Sequence, residues 1–245
     1  ETVTMTKRGP PTMTLGAPST FTLDVQNAGN GAAWNLSLQD RLPNGANGGT
    51  CDVPASAFAA GVFAADGTTP VSGPLASGAD FVVLSRGEPD CDFTVAMLTP
   101  ATTVGPGERL ILTYQTLLDA DSQDGEALTN VAGAVAWFSA DGSIPATAGD
   151  RRAYTRTLTD GTVGTLDHED AYTTTVALPL YRFEKSVMNV TTGQNPATIA
   201  RPGDVLRYHL RIDNLRAAPL DDLAIVDELD RLNVPPAFAA GTLVL

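Results

Sequence analysis

Lysine is scarce in this chain: against thirteen arginines there are two lysines, Lys7 and Lys185. Arginine keeps its proton at any ordinary pH, whereas a lysine buried in apolar surroundings loses its charge and becomes a nucleophilic amine. Arginine serves wherever positive charge alone is needed, so the two lysines mark positions that require an amine. Each ends a short alternating stretch, VTMTK and YRFEK, ahead of a matching glycine, Gly16 and Gly203. A neutral amine beside a protonated acid and a carboxamide can form an amide. The amine attacks the carboxamide carbon, the acid donates a hydrogen bond to its oxygen, and ammonia leaves. An apolar core favours the reaction twice over, keeping the amine neutral and the acid protonated.

The acid comes from an internal repeat. Residues 16–43 and 203–230 align without a gap, matching Phe21 with Tyr208, Leu23 with Leu210, Val25 with Ile212, Asn27 with Asn214 and Asp40 with Asp227. Both copies alternate apolar and polar residues, the period of a half-buried strand. A turn is expected at the matched asparagine, followed by a second strand carrying Leu36, Leu38 and Asp40 in one copy and Leu223, Ile225 and Asp227 in the other. The aspartate therefore projects from the face of the core leucines, where an isolated ionised carboxylate costs several kcal/mol unless paired or protonated. The carboxamide is placed by the same parity. After the alternating run Leu110, Leu112, Tyr114, the segment LTNVAGAV sets Asn130 on the face of Leu128, Ala132 and Ala134.

Lys7, the glycine strand start, the Asn27 turn, LQDRLP, PGERLILTY and LTNVAGAV together resemble the DUF11 and fimbrial D2-type isopeptide-forming domains. These are immunoglobulin-like β-sandwich repeats of bacterial surface proteins, pilins and adhesive stalks. The resemblance covers the first copy end to end and the first half of the second. It implies Lys7 as amine donor, Asn130 as acceptor and Asp40 as the proton-handling acid. Lys185 and Asp227 match the amine donor and the acid in the second copy, whose acceptor asparagine is expected outside this chain.

Cys51 and Cys91 lie forty positions apart, each in a Gly/Asp/Pro-rich stretch. In an exported chain they most simply form one disulfide, the alternative being two separate buried thiols. His168 and His209 have no CxxC, HxxxH or HExxH companion, and GxSxG is absent, so neither a metal nor a nucleophilic triad is expected. No cofactor and no turnover enzyme are expected. The carboxylates of DADSQDGE (Asp119, Asp121, Asp124, Glu126) form a weak Ca²⁺ candidate against the alternative of a solvated acidic hairpin. The sequons at Asn35 and Asn189 are read as chance, RLPNG as a strand-end turn, and Trp34 and Trp137 as packing residues.

Length and composition bound the architecture. In 245 residues, 43% are apolar, 17 are Pro and 23 are Gly, which favours many short strands over long helices. A net charge of −13 repels a phosphate backbone, so nucleic acid is not an expected partner; nor is direct membrane insertion expected. The predicted fold is all-β: tandem immunoglobulin-like sandwiches, residues 1–180 forming a complete one with long loops at about 44–90 and 140–170, and residues 181–245 the first half of a second. Half a sandwich cannot cover its own apolar face, so completion by a longer array or by a partner's strand is expected. The expected role is a structural module of an extracellular bacterial filament, stalk or pilus-like fibre, packed against neighbouring repeats or identical subunits. The alternative is an adhesin that recognises glycan or protein through the long loops.

Overall fold

A computed structural model describes residues 2–142, 151–161, 167–179, 181–215 and 219–228. The chain divides into two compact units, Glu1–Pro179 and Leu180–Leu245.

Alternation builds the first unit. Its strands are β1 (Val3–Arg8), β2 (Thr12–Met13), β3 (Ser19–Asn27), β4 (Trp34–Arg41), β5 (Asn44–Gly45), β6 (Gly48–Gly49), β7 (Ser56–Phe63), β8 (Pro70–Leu75), β9 (Phe81–Arg86), β10 (Asp92–Met97), β11 (Arg109–Thr116), β12 (Ala127–Phe138), β13 (Ala153–Thr155) and β14 (Glu169–Val176). One sheet runs β1-β3-β11-β7-β8 and the other β2-β14-β12-β4-β10-β9, with β13 added to β12. The inward rows of the two sheets, among them Phe21, Leu23, Val25, Leu36, Leu38, Leu110, Leu112 and Trp137, are at most 1% exposed and make one core. The unit is an immunoglobulin-like β-sandwich.

β1 is held from both sides. It pairs antiparallel with β3, while its Met5 N–H donates to the Asp167 carbonyl at 2.7 Å and its Lys7 N–H to Asp170 Oδ2 at 2.8 Å. The chain then crosses to the other sheet, where β2 lies parallel to β14. The crossing passes so close to the core that a Cβ on Gly9 would lie 2.4 Å from the Phe21 ring.

Residues 44–90 are not a long loop. They contain β5 to β9, and their Ala/Val/Phe runs extend both sheets as β7, β8 and β9. In the expected 140–170 loop, Ala153–Thr155 is a strand whose Tyr154 ring stacks on Trp137 at 5.6 Å; residues 143–150 and 162–166 lie outside the described residues.

In the second unit, β15 (Tyr181–Asn189) and β16 (Leu206–Asn214) form an antiparallel pair. The strand expected around Leu223, Ile225 and Asp227 does not form, and Leu223 and Ile225 are half exposed. With no second layer packed on these apolar side chains among the described residues, alternation alone does not make a ladder.

Candidate functional site

Four inward rows each put one polar residue where the pattern would otherwise place a core residue. On β1 the row is Val3, Met5, Lys7; on β4 it is Leu36, Leu38, Asp40; on β11 it is Leu110, Leu112, Tyr114; on β12 it is Leu128, Asn130, Ala132. The first sheet thus supplies Lys7 and Tyr114, flanking β3 through the pairs Lys7 with Leu23 and Tyr114 with Phe21. The second supplies Asp40 and Asn130. Asp40 pairs across with Ala132, so Asn130 is its diagonal neighbour on the same face.

The four side chains meet between the sheets. Lys7 Nζ donates to Asp40 Oδ2 and, at 2.9 Å, to the Tyr114 oxygen. The Tyr114 O–H donates to Asp40 Oδ2 at 2.6 Å, and Asn130 Nδ2 donates to the Tyr114 oxygen at 2.9 Å. Both side chains of the Lys7–Asp40 pair are 0% exposed. Asp40 Oδ1 and Asn130 Oδ1 are buried without a hydrogen-bond partner, an unusual state for carbonyl-type oxygens in a core.

Around the cluster lies an aromatic bed. Phe21 stacks on Tyr114 at 5.7 Å, Phe93 meets it edge-on at 4.8 Å, and Phe58 stacks at 5.9 Å. Lys7 Nζ sits 5.6 Å from the Phe21 centroid. In this bed burial pushes the Lys7 amine down, against the pull of Asp40 and Asp170. Burial pushes the Asp40 carboxyl up, opposed by Lys7 and the Tyr114 hydroxyl and reinforced by Asp92. Removing both charges from water outweighs their mutual attraction, so each partner moves toward its neutral form. Tyr114 is driven well above its ordinary value by burial and by Asp40.

Lys7, Asp40 and Asn130 are therefore brought together. Tyr114 is the member that sequence reasoning treated only as one step of a strand; its signal was the PGERLILTY run, in which it follows Leu110 and Leu112 on one parity. In the second unit Lys185 Nζ reaches Asp227 Oδ1 at 2.6 Å, but the two side chains are 37% and 25% exposed. Cys51 and Cys91 form a disulfide.

The four acidic residues of the Ca²⁺ candidate do not converge on a common point among the described residues. Asp119 turns away to accept the backbone N–H groups of Cys51 and Asp52, Asp124 accepts the Leu178 N–H, and Glu126 accepts from Asn47. Asp121 is exposed. Amide groups thus draw oxygens of Asp119, Asp124 and Glu126 to separate partners. His168 makes its contact with the Thr157 carbonyl at 3.1 Å, and the Asn189 amide is buried against Ile199 O and Asp204.

No known protein family matches this chain, and no curated protein does. Among solved structures, it is similar to the CARDB domain of a Pyrococcus furiosus protein crystallised with di-metal ions, at 11% identity and a TM-score of 0.30 over 73% of this chain and 94% of that one. The pilus backbone of Streptococcus pneumoniae is similar over 78% of this chain and 62% of its own, at 11% identity and a TM-score of 0.36. The collagen adhesin of S. aureus is similar over 87% of this chain and 52% of its own, at 8% identity and a TM-score of 0.31.

Proposed function

We propose that this chain is a structural module of an extracellular bacterial filament, stalk or pilus-like fibre whose first unit welds itself through an isopeptide bond from Lys7 to Asn130. One observation carries the reading: an amine, an acid and a carboxamide lie buried together, and burial moves the first two toward neutrality. In the reaction, neutral Lys7 Nζ attacks the Asn130 side-chain carbonyl carbon. Asp40 uses Oδ2 to hold the amine and, in this reading, carries its proton on Oδ1 to donate it in a hydrogen bond to the Asn130 carbonyl oxygen. That assignment gives a partner to each of the two orphaned buried oxygens. The Nζ–C bond forms, the C–Nδ2 bond breaks and ammonia departs. The event occurs once per molecule, so the chain is not a turnover enzyme.

The disulfide supports an oxidising, extracellular setting. Closing the loop from residue 7 to residue 130 removes chain entropy worth about 5 kcal/mol if the disulfide relation is borrowed. Neighbouring repeats or identical subunits are the partners this role requires. The adhesin alternative is less well supported, because the span expected to be its main binding loop is built into β5 to β9.

Intact mass under reducing conditions tests the reading. The wild-type chain should be one ammonia lighter than its sequence, Lys7→Ala and Asn130→Ala should each have full mass, and digestion should yield a branched peptide joining residues 7 and 130. A wild-type chain of full mass would end the proposal.

A further inference from the structure

We propose that Tyr114 is the proton relay of this cross-linking reaction: its oxygen takes a proton from the attacking Lys7 amine while its own proton passes to the departing Asn130 nitrogen. The inference rests on the isopeptide reading above and adds to it a residue and a route.

Joining an amine to a carboxamide moves one proton net. Lys7 Nζ must lose one and Asn130 Nδ2 must gain one, or the leaving group would be amide ion rather than ammonia. Asp40 Oδ2 is bonded to the first nitrogen, but no hydrogen bond joins Asp40 to the second. The Tyr114 oxygen is bonded to both, at 2.9 Å from Nζ and 2.9 Å from Nδ2. Before attack, Nδ2 is a planar amide nitrogen and can only donate, so the phenol proton points at Asp40 Oδ2. Once the tetrahedral intermediate forms, Nδ2 becomes pyramidal and gains a lone pair, while Nζ carries a positive charge. The Tyr114 O–H then turns from Asp40 to Nδ2. Nζ gives its proton to the phenol oxygen as the phenol proton moves to Nδ2, the C–Nδ2 electron pair leaves with ammonia, and the carbonyl re-forms. Asp40 ends with the proton it began with, and Tyr114 ends as a neutral phenol.

The surroundings suit a relay that never stands as phenolate. Burial and the neighbouring Asp40 hold the hydroxyl well above its ordinary value, so the two proton movements must be concerted. Phe21, Phe93 and Phe58 fix the ring on three sides, which holds the oxygen between the two nitrogens.

The chain is recovered unfolded and reduced from insoluble aggregates, its starting mass is checked to be the full sequence mass, refolding is started by dilution into oxidising buffer, and intact mass is followed against time. Tyr114→Phe keeps the ring and its stacking. At unchanged refolding rate, it should lose ammonia at least about 100-fold more slowly than wild type, the low end of general acid–base contributions. A Tyr114→Phe rate within threefold of wild type would overturn the relay and leave the bond standing. Wild type that never loses ammonia would overturn the bond itself, and the relay with it. Should Tyr114→Phe fold poorly, a series of fluorinated tyrosines at position 114 varies phenol acidity within nearly the same ring. Cross-linking rates that follow acidity support the relay, and a flat series assigns Tyr114 to packing and overturns it.

Discussion

Lys7 pairs across its ladder with Leu23, and Lys185 pairs with Leu210, the residue that matches Leu23 in the repeat. The glycines that precede the two matched strands, Gly16 and Gly203, share a positive φ of 75° and 91°. Each amine then meets the aspartate of the following segment, Asp40 or Asp227. The two ladders are built alike, although Asp40 sits on β4 and Asp227 on no strand. They part at the next layer: a second sheet bringing Asn130, and β11 bringing Tyr114, close over Lys7, whereas Lys185 and Asp227 keep contact with water. In the second unit the pair forms with no opposite sheet over it among the described residues; in the first, burial between two sheets pushes both partners toward their neutral forms. Within the first unit, Asp40 and Glu169 make a second contrast. Burial pushes both carboxyls up. Glu169 is nonetheless left below its ordinary 4.5, because Thr159 Oγ1 and the Thr159 and Gly161 N–H groups donate to it. Asp40 accepts no backbone N–H and is left above its ordinary value.

The largest contrast between the units should be in mass. Lys7→Ala should abolish loss of ammonia completely, and Lys185→Ala should leave it unchanged; a full-mass Lys185→Ala chain would break the assignment of the reaction to the first unit. Next, Asp40→Ala should slow the reaction by about 10²- to 10⁴-fold, the span of general acid–base catalysis, while Asp227→Ala has no effect on its rate. Cys51→Ala with Cys91→Ala should lower the unfolding free energy of the first unit by about 4 kcal/mol in the chain-entropy relation, read by denaturant titration in a Lys7→Ala background.

How far these contrasts were legible in the sequence depends on what each residue's environment is made of. Parity places Asp40 on the face of Leu36 and Leu38 and Asn130 on that of Leu128 and Ala132, and alternation puts Lys7 at the end of VTMTK, because period-two alternation is a property of one strand. The same logic makes Tyr114 only a step of the alternating run after Leu110 and Leu112 and has no means of showing that its hydroxyl lies where rows from both sheets meet. The acidic run from Asp119 to Glu126 looked like a cation loop because the N–H groups that Asp119 captures belong to Cys51 and Asp52, far away in the chain. The segment SAFAAGVF falls in the expected 44–90 loop; its Gly and Ala residues carry weak strand propensity, and pairing with β11 overrides that preference. Exposure of Lys185 is a property of a layer that two strands do not supply.

Two smaller effects sharpen the comparison of acids. Glu169→Gln should cost about 1–3 kcal/mol, the range for a buried hydrogen-bonding group deprived of its match. Because the folded state depresses this carboxyl, its stabilisation is present above its unfolded value and lost as pH falls through the lower folded one. Protection of the Thr159 and Gly161 amides from hydrogen exchange should accordingly fall on acidification below pH 4.5. Smallest of all, Asp227→Asn should change stability by less than about 1 kcal/mol and only at low salt, as a water-exposed pair.

Asn130 lies on β12, and β14 follows it, docked by its ladder to β12 and by two residues to β2. A weld from residue 7 to residue 130 would make everything between those points inextensible, yet leave β14 outside the closed ring. Tension passing from one end of the unit to the other would run in series through the weld and then through the backbone bonds of β14. The stretch from Val131 to Pro179 would therefore pay out first, lengthening the molecule by a fixed step and absorbing a shock, after which the covalent ring stops further extension.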